Sequence, residues 1–164
     1  AALITSFLPG ADPERIQKLL VQPLEEELAR TWNDDMIWWG PAGIGATYTI
    51  KRYAKQHSGP FRATFSDRSS TGHICRLAEG RFSGFFGWPN FTAVHTGGFM
   101  GMPASEVRGE MRVIDIYRRD GNKLAENWIF IDLLHFWNMQ GIDILARTTA
   151  IHAGHETGAN GAHP

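Results

Sequence analysis

Met111 to Gly141 reads MRVIDIYRRDGNKLAENWIFIDLLHFWNMQG, and how this stretch parses decides the fold. From Met111 to Arg118 the residues alternate with the two-residue period of a strand: Met111, Val113, Asp115 and Tyr117 on one side, Arg112, Ile114, Ile116 and Arg118 on the other. Asp120-Gly121 is a hairpin signal, and Lys123 to Ile131 carries the Leu, Trp, Ile and Phe of a return strand. Asp132 ends that strand. Leu133, Leu134, Phe136, Trp137 and Met139 are too densely apolar for an exposed strand and predict a short buried helix that stops at Gly141. Two carboxylates therefore stand in apolar surroundings, Asp115 in mid-strand and Asp132 at a strand-to-helix junction with His135 one turn on. A two-residue turn at Asp120-Gly121 sets Asp115 opposite Glu126, whereas a three-residue turn sets it on the face of Asn127.

Upstream, His73 to Glu79, Arg81 to Trp88 and Phe91 to Gly97 read as an antiparallel meander turning at Gly80 and at Pro89-Asn90, with a less regular strand at Phe61 to Phe65. Several of these strands are apolar on both faces, as if one side met helices and the other a second subunit. That predicts a homodimer through the outer sheet face. Before the meander, Asp12-Pro13-Glu14 opens a first helix, Leu24 to Trp32 forms a second and Thr47 to Ser58 a third, which Gly59-Pro60 terminates. Met36 to Trp39 is a short strand. The loop Gly40-Pro41-Ala42-Gly43-Ile44-Gly45 lacks the Lys-Ser/Thr of a phosphate cradle and reads as a tight backbone crossing.

Helices, then a long meander, then a short helix make an α+β pattern, and a strongly twisted sheet curled around helices leaves a cavity at its open end. Residues 1–150 read as one α+β domain, and 151–164, rich in Gly, Ala and His, as a disordered tail. His152, His155 and His163 have loose metal-site spacing, but a tail without scaffold makes no specific site, so no metal is predicted.

The 164 residues suffice for a sizeable core, and six Trp with ten Phe can build that core or line a pocket for a flat apolar ligand. A net charge of -1 with no Lys/Arg cluster argues against nucleic acid. No apolar run approaches the roughly 20 residues of a membrane span, and no basic-apolar leader opens the chain, so the expected location is cytoplasmic. Cys75, the one cysteine, falls within a strand pattern and is expected as a small core residue.

The run His95-Thr96-Gly97-Gly98-Phe99-Met100-Gly101-Met102-Pro103, then Asp115-Ile116-Tyr117-Arg118, Glu126-Asn127-Trp128, Asp132 and Gln140-Gly141, resembles the SnoaL-like polyketide cyclases of the nuclear-transport-factor-2-like, or cystatin-like, superfamily. Trp39-Gly40-Pro41-Ala42-Gly43-Ile44-Gly45 resembles a loop in an uncharacterised branch of that group. The resemblance implies a cone-shaped α+β fold, with three N-terminal helices packed in a curved antiparallel sheet around a deep pocket. It also implies a homodimer and acid/base chemistry on an enolisable ligand without metal or cofactor. In one respect the chain departs from the pattern: the family's catalytic Asp position falls on Ile129 and its preceding His position on Asn127.

If a base exists, another residue supplies it. Asp115, desolvated on an apolar strand face, is the first candidate, with a salt bridge to Arg112 or Arg118 as its competing fate. Asp132 can act directly or cap the helix by accepting an N–H from Leu134 or His135. His135, in the first helical turn, can relay a proton or simply pack. Asn127 and His95 can stabilise an oxyanion, His73 and Arg76 can face the pocket, and Trp38, Trp39, Trp88, Trp128 and Phe86 fill core, with one or two of them lining any pocket. The function expected is proton abstraction beside a carbonyl of a small apolar or aromatic ligand, leading to aldol cyclisation or isomerisation. The alternatives are a non-catalytic binding or dimerisation module, and a hydrolase or dehydratase in the same pocket.

Overall fold

The computed structural model describes residues 25–159. The helix expected to open at Asp12 and the His163 end of the tail lie outside them. The first described helix, α1 (Glu25–Leu28), is one turn long, because residues 29–31 turn and Trp32, expected to end the helix, already begins strand β1 (Trp32–Trp39). A turn follows in which the Ile44 and Gly45 N–H groups both donate to the Pro41 carbonyl. A Cβ at Gly40 would run into the Trp38 ring, which makes this loop the close crossing its composition suggested.

β2 (Ala46–Tyr48) turns back against β1, and Thr49 caps a helical stretch by accepting from the Arg52 N–H at 3.3 Å. That stretch runs through α2 (Ile50–Tyr53), a π-helical turn (Ala54–Ser58) and α3 (Gly59–Thr64). It passes Gly59-Pro60, where termination was expected. The wide π turn re-sets the register there, so Pro60 lies in the first turn of a new α segment, where a missing N–H costs little. Phe61 to Thr64 is consequently helical, and β3 (Phe65–Ser70) begins only at Phe65.

β4 (Cys75–Glu79) and β5 (Phe82–His95) turn at Gly80 as expected, but Pro89-Asn90 is no turn. β5 continues through it as one 14-residue strand, with a register irregularity against the next strand between Gly87 and Phe91. A bulge is where a strand tolerates a proline that cannot donate to the ladder. β6 (Arg108–Asp120) and β7 (Lys123–Ile131) form the central hairpin, with Asp120 paired to Lys123 and a further shift beside Arg118. α4 (Leu133–Met139) follows, and α5 (Ile144–Ala159) carries on as helix through 151–159, where a disordered tail was expected.

The sheet is seven-stranded, curved and unclosed, in the order β2-β1-β7-β6-β5-β3, with β4 beside the first half of β5. β1 runs parallel to β7, which makes it mixed. Its inner face packs on the helical stretch 50–64 and on α4, the α+β arrangement expected. A chain of rings closes one side of the interior: Trp32 stacks on Tyr53 at 6.1 Å and meets Tyr117 edge-on at 6.0 Å, and Trp38 meets Tyr53 at 5.9 Å. Outside the core stand Phe82, Trp88 and Phe130, and Cys75 too is exposed, since every residue of β4 faces solvent. Among the described residues no helix is long and apolar enough to cross a membrane.

Candidate functional site

Strand parity builds the site. On β6 the burial alternates so that Met111, Val113, Asp115 and Tyr117 all point inward, as their spacing indicated. Together with Trp38 of β1, Asn127 of β7 and Tyr53 of the helical stretch they line a cavity of about 220 Å³. That is many times the roughly 10–15 Å³ that one water needs, and most of its wall is aromatic or aliphatic.

Asp115 is the buried charge in this wall, only 6% exposed and without an ion-pair partner among the described residues. Asn127 Nδ2 donates to its Oδ1 at 2.5 Å and also to the Ile116 carbonyl at 3.1 Å, and the Tyr117 hydroxyl donates to the same carboxylate. Burial pushes Asp115 up to about 7, and the bonds from Asn127 and Tyr117 recover part of that cost. Desolvation outweighs two hydrogen bonds here because no cation is near. Tyr117 and Tyr53 are both pushed well above the usual phenol range, first by burial and then by the Asp115 charge, so both stay protonated donors. His57 stacks on Trp38 at 3.8 Å, and burial pushes it down to about 4, leaving a neutral imidazole in the cavity wall.

The hairpin register lies beyond both alternatives, although it keeps the face that the three-residue turn implied. Asp115 pairs directly with Ile129 and Tyr117 with Asn127, so Asp115 and Asn127 are diagonal neighbours on one face. Asp132 caps α4, accepting from the His135 N–H at 3.1 Å, and lies outside the cavity wall. His135 is also elsewhere, its Nε2 3.2 Å from Glu110 Oε2 on the other side of the sheet. His95 is fully buried in a different cluster, between Phe65, Phe136 and Trp137, with Nδ1 3.2 Å from Ser105 Oγ.

His73 lies behind the wall. Its ring stacks on Phe85 at 3.8 Å, its Nδ1 accepts from Arg76 Nε, and its Nε2 is 3.2 Å from Asn90 Oδ1; burial, then the Arg76 charge, push it down to about 4. Arg76 itself is exposed. Of the tryptophans, Trp39 donates from Nε1 to Glu126 on the outer face, Trp88 is 42% exposed beneath the Arg112 guanidinium, and Trp128 packs on Phe82. Thus Asp115 and Asn127 come together in the cavity, and Asp132, His135, His95, His73, Arg76, Trp39, Trp88 and Trp128 do not join its wall. Sequence reasoning passed over Tyr53 and His57, although their spacing of four on a helix puts them on one face. Among the described residues no three His, Cys, Asp or Glu side chains gather to hold a metal.

A family model described as SnoaL-like polyketide cyclase matches residues 53–139, just over half the chain and all of the cavity's central strands. Similar solved structures include IdmH from Streptomyces antibioticus, described as a candidate polyketide cyclase, at 17% identity and TM-score 0.62, covering 79% of this chain and 97% of that one. TsrD from Streptomyces laurentii is 22% identical, with TM-score 0.58 and coverages of 80% and 98%. A nuclear-transport-factor-2-like protein from Burkholderia thailandensis E264 is 11% identical, with TM-score 0.60 and coverages of 77% and 94%. At these identities the likeness is one of fold, the cone-shaped α+β fold of that superfamily. No curated protein matches the sequence.

Proposed function

Because the chain belongs to the SnoaL-like polyketide cyclase family, we propose that it is an acid/base enzyme acting without a cofactor, and that Asp115 takes a proton from the carbon beside a carbonyl of an apolar, ring-bearing ligand. The observation that carries this reading is a carboxylate without a cation, raised to about 7 in an apolar cavity. A base with that proton affinity is substantially ionised at neutral pH and yet strong enough to compete for a carbon-bound proton. When the C–H bond breaks, its electron pair moves to the carbonyl oxygen as an enolate, and Asp115 holds the proton. The Tyr53 hydroxyl, a protonated donor in the same wall, stabilises the oxyanion. In isomerisation Asp115 returns the proton to another carbon. In cyclisation the enolate carbon attacks a second carbonyl, and the new alkoxide takes the proton.

The family's own acid position offers further support. It corresponds to Ile129 here, and Ile129 is the direct cross-strand partner of Asp115. Asp115 thus faces the same cavity from the neighbouring strand, beside the place where the resemblance puts the family's acid. Asp132 and His135 have no part in this reading, since one caps a helix and the other pairs with Glu110.

The test is solvent deuterium exchange at the α-carbon of a ring ketone such as 2-tetralone, followed by proton NMR. Exchange above the buffer rate is expected to fall at least about 100-fold in Asp115→Asn and to change little in Asp132→Asn. Exchange untouched by Asp115→Asn would end the proposal, and no exchange above buffer with ring ketones would leave a binding module.

A further inference from the structure

Where the cavity meets solvent, its wall changes character. Arg62 of α3 and Arg68 of β3 line it there, both half-buried, beside Ser70 and Asn90. Neither guanidinium has an ion-pair or hydrogen-bond partner among the described residues. The acid nearest in sequence, Asp67, is engaged by Arg108, which donates to both its carboxylate and its carbonyl. β3 is irregular at this point: its pairing with β5 shifts between Ser66 and Ser69, where one extra residue on β3 re-aims the side chains around it. The Arg68 guanidinium is held below its usual range by burial and then by the Arg62 charge. Two like charges are therefore brought together in a partly desolvated place, and no carboxylate among the described residues pairs with either of them.

We propose that the ligand of this cavity carries a carboxylate, received by Arg62 and Arg68 at the mouth while its ring system lies among Phe61, Phe91 and Trp38. Guanidinium forks match the planar carboxylate, and an anion at this point neutralises the repulsion between them. Asp115, more deeply buried in the same wall than the two arginines, repels an anion, so the ligand enters with a fixed polarity: anion outward, neutral carbonyl inward. This assignment rests on the cavity being the ligand site of the proposed enzyme, and it names the substrate class as a ring-bearing acid.

The experiment is a titration of the whole chain with 2-naphthoate, its methyl ester and 2-naphthyl phosphate at low ionic strength, following tryptophan fluorescence. Naphthoate is expected to bind at least about tenfold more tightly than the neutral ester. Arg62→Met and Arg68→Met, which keep an apolar stem, are expected to abolish that preference and leave ester binding unchanged, and the unchanged ester affinity shows that the fold is retained. Asp115→Asn is expected to keep the preference, which separates this result from the fate of the proton-transfer proposal. Equal binding of acid and ester, a preference insensitive to both arginine variants, tighter binding of the phosphate than of the carboxylate, or no binding of any probe would each overturn the assignment.

Discussion

Asp115 and Glu110 lie on the same strand on opposite faces of the sheet, and the sheet gives their carboxylates opposite environments. Glu110 Oε2 accepts from Arg112 Nε at 3.1 Å and Nη2 at 2.9 Å and lies 3.2 Å from His135 Nε2, so hydrogen bonds and charge from Arg112, then His135, hold it below the usual carboxylate range despite some burial. Asp115 has hydrogen bonds of comparable number but from neutral donors, and burial dominates. What separates a poised base from an inert surface acid is thus the absence of a neighbouring cation combined with burial away from bulk solvent. The number of hydrogen bonds does not decide it.

The largest expected effect that would break this contrast is on stability. Asp115 has a folded value of about 7 against 3.8 unfolded, so the folded state holds its proton more tightly. The stability it contributes is complete below about pH 4 and is lost as pH rises through 7, at about 1.4 kcal/mol per unit of difference, a ceiling of about 4 kcal/mol. His57 and His73 run the other way: with folded values of about 4 against 6.5, what they contribute is present above 6.5 and is lost as pH falls through 4. Comparing Asp115→Asn with wild type cancels the histidines. Urea unfolding at several pH values is expected to show the variant gaining on wild type between pH 4 and 7 and holding its lead above. Parallel curves for the two proteins would mean that Asp115 is not desolvated as described.

A smaller effect sharpens the contrast by removing one neutral donor. Tyr117→Phe deletes the hydroxyl that favours the Asp115 carboxylate, so the Asp115 pKa is expected to rise further and the alkaline shift to appear in the pH profile of deuterium exchange. A profile that moves to lower pH, or not at all, would show that this hydrogen bond does not act on the carboxylate.

The contrast between the two acids was only half legible in the sequence. The alternation from Met111 to Tyr117 put Asp115 among inward residues, and the apolar run after Asp132 announced a capped helix, because both signals are local and periodic. A two-residue period says which residues share a face, but not which face meets the cavity. The tryptophans Trp38, Trp39, Trp88 and Trp128 were therefore equal candidates for the lining, and only Trp38 holds that place, beside the Asn127 expected there. Pro89-Asn90 and Gly59-Pro60 carry strong stop signals, yet a bulge and a π turn absorb them, since tertiary pairing on both sides outweighs local preference. The pairing of His135 with Glu110 joins residues far apart in sequence across the sheet end, and no local pattern encodes it.

The smallest effect belongs to the other side of the comparison. Glu110, Arg112 and His135 are each about a quarter to a third exposed in their side chains, at 31%, 26% and 26%, so water screens much of their attraction. Glu110→Gln keeps the shape and loses the charge. The expected change is at most about 1 kcal/mol in urea unfolding at neutral pH, because partly exposed ion pairs contribute little. Deuterium exchange on the ring ketone should stay within about twofold of wild type, since Glu110 lies outside the cavity wall. A large loss of exchange in Glu110→Gln would couple the outer cluster to the chemistry and dissolve the division between the two faces of β6.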